Sequence, residues 1–214
     1  MNIRRPAACL CAAACLIPCL TACEGSKPDD GTITESQMPY GATLTVSKSH
    51  GVPIQYDKRF FDSDFLDAVA NYYLGIQNKD VARYTAAQLP LYHDFELNTL
   101  YNGEYSEQDL INLYYDGIAE VMNGAFEFAF IDLADASKGT VYSDSNTLLS
   151  QLDQISNEKD GTQMSKNVDA IYELTVVRFL TEAGSNVRTE TDDMLEDEEL
   201  FAMHYLGKWY IIPA

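Results

Sequence analysis

Between residues 63 and 122 apolar side chains recur at intervals of three and four. In DFLDAVANYYLGIQNKD, which follows Ser63, the residues Phe65, Val69, Tyr72, Tyr73 and Ile76 fall on one stripe. That is the period of an amphipathic helix. Asp62, Asp64 and Asp67 favour its N-terminal end, where the helix dipole is positive. Asp80 is placed to begin a second, shorter helix, VARYTAAQL, which Pro90 closes. Ser106-Glu107-Gln108-Asp109 resembles a capping box with Asp in place of Glu. Leu110, Leu113, Tyr114, Ile118 and Val121 form the next stripe, and Asn123-Gly124 supplies its stop.

The period then changes. Phe126, Phe128 and Phe130 alternate within AFEFAFIDLA, Ala125 to Ala134, which predicts a strand. A short helical piece, TLLSQLDQI, follows with Leu148, Leu149, Leu152 and Ile155 apolar, and NEKDG at 157–161 predicts a turn. The last third is rich in β-branched and aromatic residues. Strands are predicted over Ile171–Leu180, Glu199–Leu206 and Trp209–Ile212, with an acidic loop from Ala183 to Glu198. Leu206-Gly207-Lys208-Trp209 reads as a two-residue hairpin with glycine first, the type II′ pattern. Ahead of the helices, Ala42–Ser47 is β-prone and reads as an edge strand. Helices first and a strand meander last predict an α+β domain, with N-terminal helices packed on one face of a curved antiparallel sheet.

Neither period holds at the N-terminus. Arg4 and Arg5 precede an apolar run from Ala7 to Leu20, the layout of a secretory signal peptide. All five cysteines, at 9, 11, 15, 19 and 23, lie in this stretch. Their spacing and the lack of a nearby histidine argue against a metal cluster. The absence of cysteine elsewhere argues against a disulfide framework. Leu20-Thr21-Ala22-Cys23 resembles the lipobox of bacterial lipoproteins. That resemblance implies removal of residues 1–22 and a lipid on Cys23, anchoring the chain at the extracytoplasmic face of a bacterial cell membrane. Residues 23–40, rich in Gly, Ser, Pro, Asp and Thr, read as a flexible tether, and 41–214 as a single domain.

Charge removes further classes. The chain carries 33 Asp and Glu against 14 Lys and Arg, a net −19. Nucleic-acid binding is disfavoured for want of a basic face, and so is electrostatic adhesion to anionic lipid. Attachment to the membrane therefore falls to the lipid on Cys23.

The element order, the long first helix and the terminal GKWYI strand resemble the nuclear transport factor 2-like fold. Ketosteroid isomerase-like and SnoaL-like proteins share that fold, and the resemblance spans residues 60–214. It implies a cone-shaped sheet with a ligand space between sheet and helices. Polar residues within the apolar strands are the candidates to line it: Glu127, Arg178 and His204, beside Asp132. A histidine or carboxylate buried there could act as a general base. The simpler reading from strand alternation gives them structural roles, outward or paired across strands.

No phosphate-binding loop, zinc-protease motif or nucleophile elbow occurs. His50, His93 and His204 are scattered, so neither a metal nor a cofactor is expected. The acidic run at 191–199 lacks the glycine and spacing of a calcium loop and reads as a solvated loop. The paired tyrosines, Tyr72-Tyr73 and Tyr114-Tyr115, read as core and rim packing rather than a sugar platform. The expectation is a non-enzymatic lipoprotein that binds a small ligand or an envelope protein. The alternatives are a small ketosteroid isomerase-like enzyme and a structural subunit of an envelope complex.

Overall fold

Six strands form one sheet whose spatial order repeats their order in the chain: β1 (Leu44–Ser47), β2 (Ile54–Asp57), β3 (Phe126–Lys138), β4 (Val168–Glu182), β5 (Glu198–Tyr205) and β6 (Lys208–Pro213). The computed structural model describes residues 34–35, 38–139, 143–185 and 197–214. The segment read as a signal peptide, Cys23, and most of the stretches read as tether and acidic loop lie outside the described residues. The fold is that of the unit Ser36–Ala214.

Every neighbouring pair is antiparallel except β2 and β3, which run parallel through Ile54–Ile131 and Gln55–Asp132. The α+β class holds, but the sheet is mixed rather than purely antiparallel. The cause lies in the connection: the helical block sits between β2 and β3, and parallel neighbours require a crossover of that kind. Two bulges interrupt β3, at Phe128/Phe130 and Leu133/Asp135. The first ends the phenylalanine alternation. Phe126 and Phe128 are buried under the helices, whereas Phe130 meets Phe179 edge-on at 5.7 Å.

Five α-helices are present among the described residues. The first, α1 (Ser63–Asn78), is capped by Asp62, which accepts the Phe65 N–H. Asp80 caps α2 (Val81–Ala87) in the same way. The two helices approach so closely at Gly75 that a Cβ there would lie 2.7 Å from the Tyr84 backbone nitrogen. Pro90 does more than close α2. It opens α3 (Pro90–Phe95), at a position where its missing N–H costs nothing. One turn of π-helix, Glu96–Leu100, continues from α3. The predicted capping box of α4 (Glu107–Met122) is present in both directions between Ser106 and Asp109. In α5 (Asp144–Asp160) the helix runs through NEKD, and only Gly161 turns out of it, in the left-handed conformation.

The sheet is covered on two sides, not one. Phe65, Val69, Tyr72 and Ile111 of α1 and α4 pack on Ile131, Leu133, Val176 and Ile211. A second cluster joins Leu148 and Leu152 of α5 to Leu89, Phe201, Met203 and Ile212. Alternation along β5 supplies both faces, with Leu200 and Ala202 in the first cluster and Phe201 and Met203 in the second. The β5–β6 turn is Leu206-Gly207, with φ of 50° and 74°. Both values are positive, which makes it type I′ with glycine second rather than the expected II′.

Candidate functional site

The three sequence candidates are not brought together. Arg178 lies under the helices, where its guanidinium sits 3.3 Å from the Glu198 carboxylate. His204 stands at the rim of that face, with its ring 4.8 Å from that of Trp209 and its Nδ1 3.0 Å from the exposed Asp169. Glu127 is exposed, and faces away from its buried neighbours Phe126 and Phe128. Asp132 accepts a hydrogen bond from Gln55 at 2.9 Å.

Arg178 instead belongs to a polar seam through the helix-covered core. Glu198 accepts the Tyr73 hydroxyl at 2.7 Å and the Tyr72 hydroxyl at 3.4 Å. The Tyr72 ring lies 5.6 Å from Tyr84, and Tyr84 lies 6.1 Å from both Tyr114 and His93. Tyr114 donates to Glu96 at 2.7 Å. His93 places Nδ1 3.6 Å from Glu96 and Nε2 3.5 Å from Glu107 on α4. Burial pushes the hydroxyls of Tyr72, Tyr73, Tyr84 and Tyr114 far above the ordinary tyrosine range, and nearby carboxylates add to the rise. All four are neutral, and Tyr72, Tyr73 and Tyr114 donate to carboxylates, whereas the buried Tyr84 hydroxyl has no hydrogen-bond partner among the described residues. The Glu96 carboxylate beside His93 raises the imidazole above its usual value despite burial, with Glu107 helping.

This seam has the side chains of an acid–base site, and its middle is covered. Tyr84 is 0 % exposed, Glu96 2 % and His93 6 %, while Glu107 at its end is half exposed. Sequence periodicity missed Glu96 because the π turn breaks the 3.6-residue repeat and swings it inward. The available signal was Tyr114, a hydroxyl inside the apolar stripe of α4.

Two adjoining open spaces lie on the opposite side of the sheet. A groove of about 550 Å³ runs between α5 and the α3–π segment, walled by Tyr92, Phe95, Leu100, Leu148, Ile155 and Phe201. It adjoins a cavity of about 350 Å³ over β3, β4 and β5, and the two share Asp144, Phe201 and Ala214. Glu173 in that cavity accepts the Ser145 N–H at 2.8 Å, near the start of α5. Burial opposes its ionisation, but the bonds from Ser145, Ser143 and Asp144 outweigh it and hold the carboxyl below its ordinary value. Burial pushes Tyr92 up to about 12, so the groove presents it as a neutral phenol.

Among the described residues no group of three or more His, Cys, Asp or Glu is placed to hold a metal ion. No helix among them is long and apolar enough to cross a membrane. No family model, curated protein or solved structure matches the chain.

Proposed function

We propose that this chain is a lipid-anchored extracytoplasmic binding protein, tethered through Cys23, that holds a small apolar ligand in the groove between α5 and the α3–π segment. The observation that carries the binding half is the contrast in access. The middle of the polar seam is covered, while the groove is open, largely apolar and of a size that single small ligands fill. The lipobox carries the anchoring half. The same reading takes the domain as a nuclear transport factor 2-like cone. The long first helix and the two bulges of β3 support it, since bulges bend a sheet.

The test has two readouts. Nile red, a neutral apolar dye, is expected to brighten with the full chain and to lose that response in Ile155→Asp, at a half-buried groove position. An unchanged response in that variant would remove the groove as the site. A fatty-acid probe fed to expressing cells is expected to label the wild type and spare Cys23→Ala. Equal labelling would refute the anchor.

The enzyme reading keeps one supporting observation, the convergence of His93, Glu96 and Tyr114 in the core. His93 and Glu96 are buried, and this cluster meets the surface through the half-exposed Glu107.

A further inference from the structure

We infer that the groove ligand is a small organic cation, a protonated amine carrying an apolar chain or ring. This rests on the groove reading above and adds the chemistry of the head group. Asp135, Thr175 and Glu199 are register partners across β3, β4 and β5. All three line the cavity that continues the groove. Two carboxylates thus flank a neutral threonine on one row, about 10 Å apart at two strand spacings. Glu173 lies on the next row, between Ser137 and Phe201, and Asp144 closes the space from α5. The groove itself adds Glu158. No Lys, Arg or His is among the described residues lining either space.

Carboxylates spread along a surface in this way repel one another and raise the local concentration of cations. Their separation decides the kind of cation. They are not gathered tightly enough to hold a metal ion, whereas an ammonium group can be met by carboxylates around it without chelation. The apolar groove starts at Phe201 and Asp144, where the acidic space ends. A ligand bridging both therefore has a charged head and an apolar body. A bare polyamine leaves the groove unfilled, and a fatty acid brings its carboxylate to a row of carboxylates. The volumes, about 350 and 550 Å³, fall within the range occupied by single small ligands.

The test compares decylammonium with decanoate, both below their micelle concentrations, against the full chain by calorimetry in low salt. Decylammonium is expected to bind at least ten-fold more tightly, with the gap narrowing as salt is added. Asp135 and Glu199 are both exposed, so the double variant Asp135→Asn, Glu199→Gln is expected to keep its thermal melt. It should weaken decylammonium at least five-fold and leave Nile red unchanged. Equal binding of the two probes, or an unaffected double variant, overturns the cationic ligand while the groove reading stands. Failure of both decyl probes and of Nile red removes the groove reading as well. Binding of a basic amphipathic peptide without binding of decylammonium also overturns the proposal, because the occupant is then a protein segment.

Discussion

Among the described residues two carboxylates are buried, on opposite terms. Asp57, at the end of β2, is 0 % exposed and Glu96, at the start of the π turn, is 2 %. Around Asp57 every neighbour is a donor. It accepts the N–H groups of Gly41 at 3.1 Å, Thr43 at 3.3 Å and Arg59 at 3.1 Å, the Thr43 hydroxyl at 2.7 Å, and Nε and Nη2 of Arg59. Arg59 reaches on to the carbonyls of Met38 and Pro39. One side chain thus ties the entry of the domain to its sheet. The Arg59 guanidinium holds the Asp57 carboxyl far below the usual range, against the opposing effect of burial. Glu96 has one hydroxyl donor, Tyr114, and a histidine at 3.6 Å. A buried charge is held well only when its oxygens are all met. Asp57 is a staple by that standard, and Glu96 is an under-coordinated group of the kind that marks a site or a switch.

Isosteric amides break the comparison most directly. Asp57→Asn puts an NH₂ among groups that are all donors and removes the carboxylate charge that faces the mostly covered Arg59 guanidinium. The expected loss is about 3–5 kcal/mol in denaturant unfolding. A loss under about 1 kcal/mol would mean that Asp57 is no staple. The sign with pH follows from the lowered carboxyl. The Asp57 contribution is complete above the ordinary aspartate value and is lost only as pH falls toward its depressed native value.

Glu96→Gln is expected to cost far less. Its oxygen still accepts from Tyr114, and its NH₂ can donate to Nδ1 of a neutral His93. A change within about 1 kcal/mol in either direction is the expectation by the same unfolding measurement. A loss as large as that of Asp57→Asn would make the two carboxylates equivalent and erase the contrast.

The two regions also differ in how far the sequence disclosed them. Periodicity placed α1, α2 and α4 to within a residue or two, because each carries a capping aspartate or serine and a continuous stripe. It missed β2, whose four residues are too few for alternation to register. It also missed α3 and the π turn, where the repeat changes within eleven residues. The groove was illegible for a related reason. Its walls come from α3, α5 and β5, which meet only in the folded chain. The expectation that helices would lie on one face failed because β5 is apolar on both faces, and a run such as LFAM fits burial on either side. Among the candidates, alternation placed Arg178 within an apolar strand, but only the tertiary fold supplied its partner Glu198.

An effect of similarly small size, and confined to one side of the pH scale, belongs to His93, and it sharpens what kind of group Glu96 is. His93 links the α3–π segment to the N-terminus of α4 through Glu96 and Glu107, with Tyr84 of α2 and Tyr114 of α4 packed beside this pair. The two carboxylates raise its proton affinity in the folded state. A raised native value stabilises the fold fully below the unfolded histidine value and loses that contribution as pH rises through the native one. Unfolding free energies of wild type and His93→Gln are therefore expected to differ most on the acidic side of about pH 6.5. The difference should be on the order of 1 kcal/mol, and it should shrink as pH rises into the alkaline range. The comparison cancels the other titrating groups, including Asp57. A difference that grows with pH would mean that His93 is buried neutral, and that Glu96 has Tyr114 as its one effective partner.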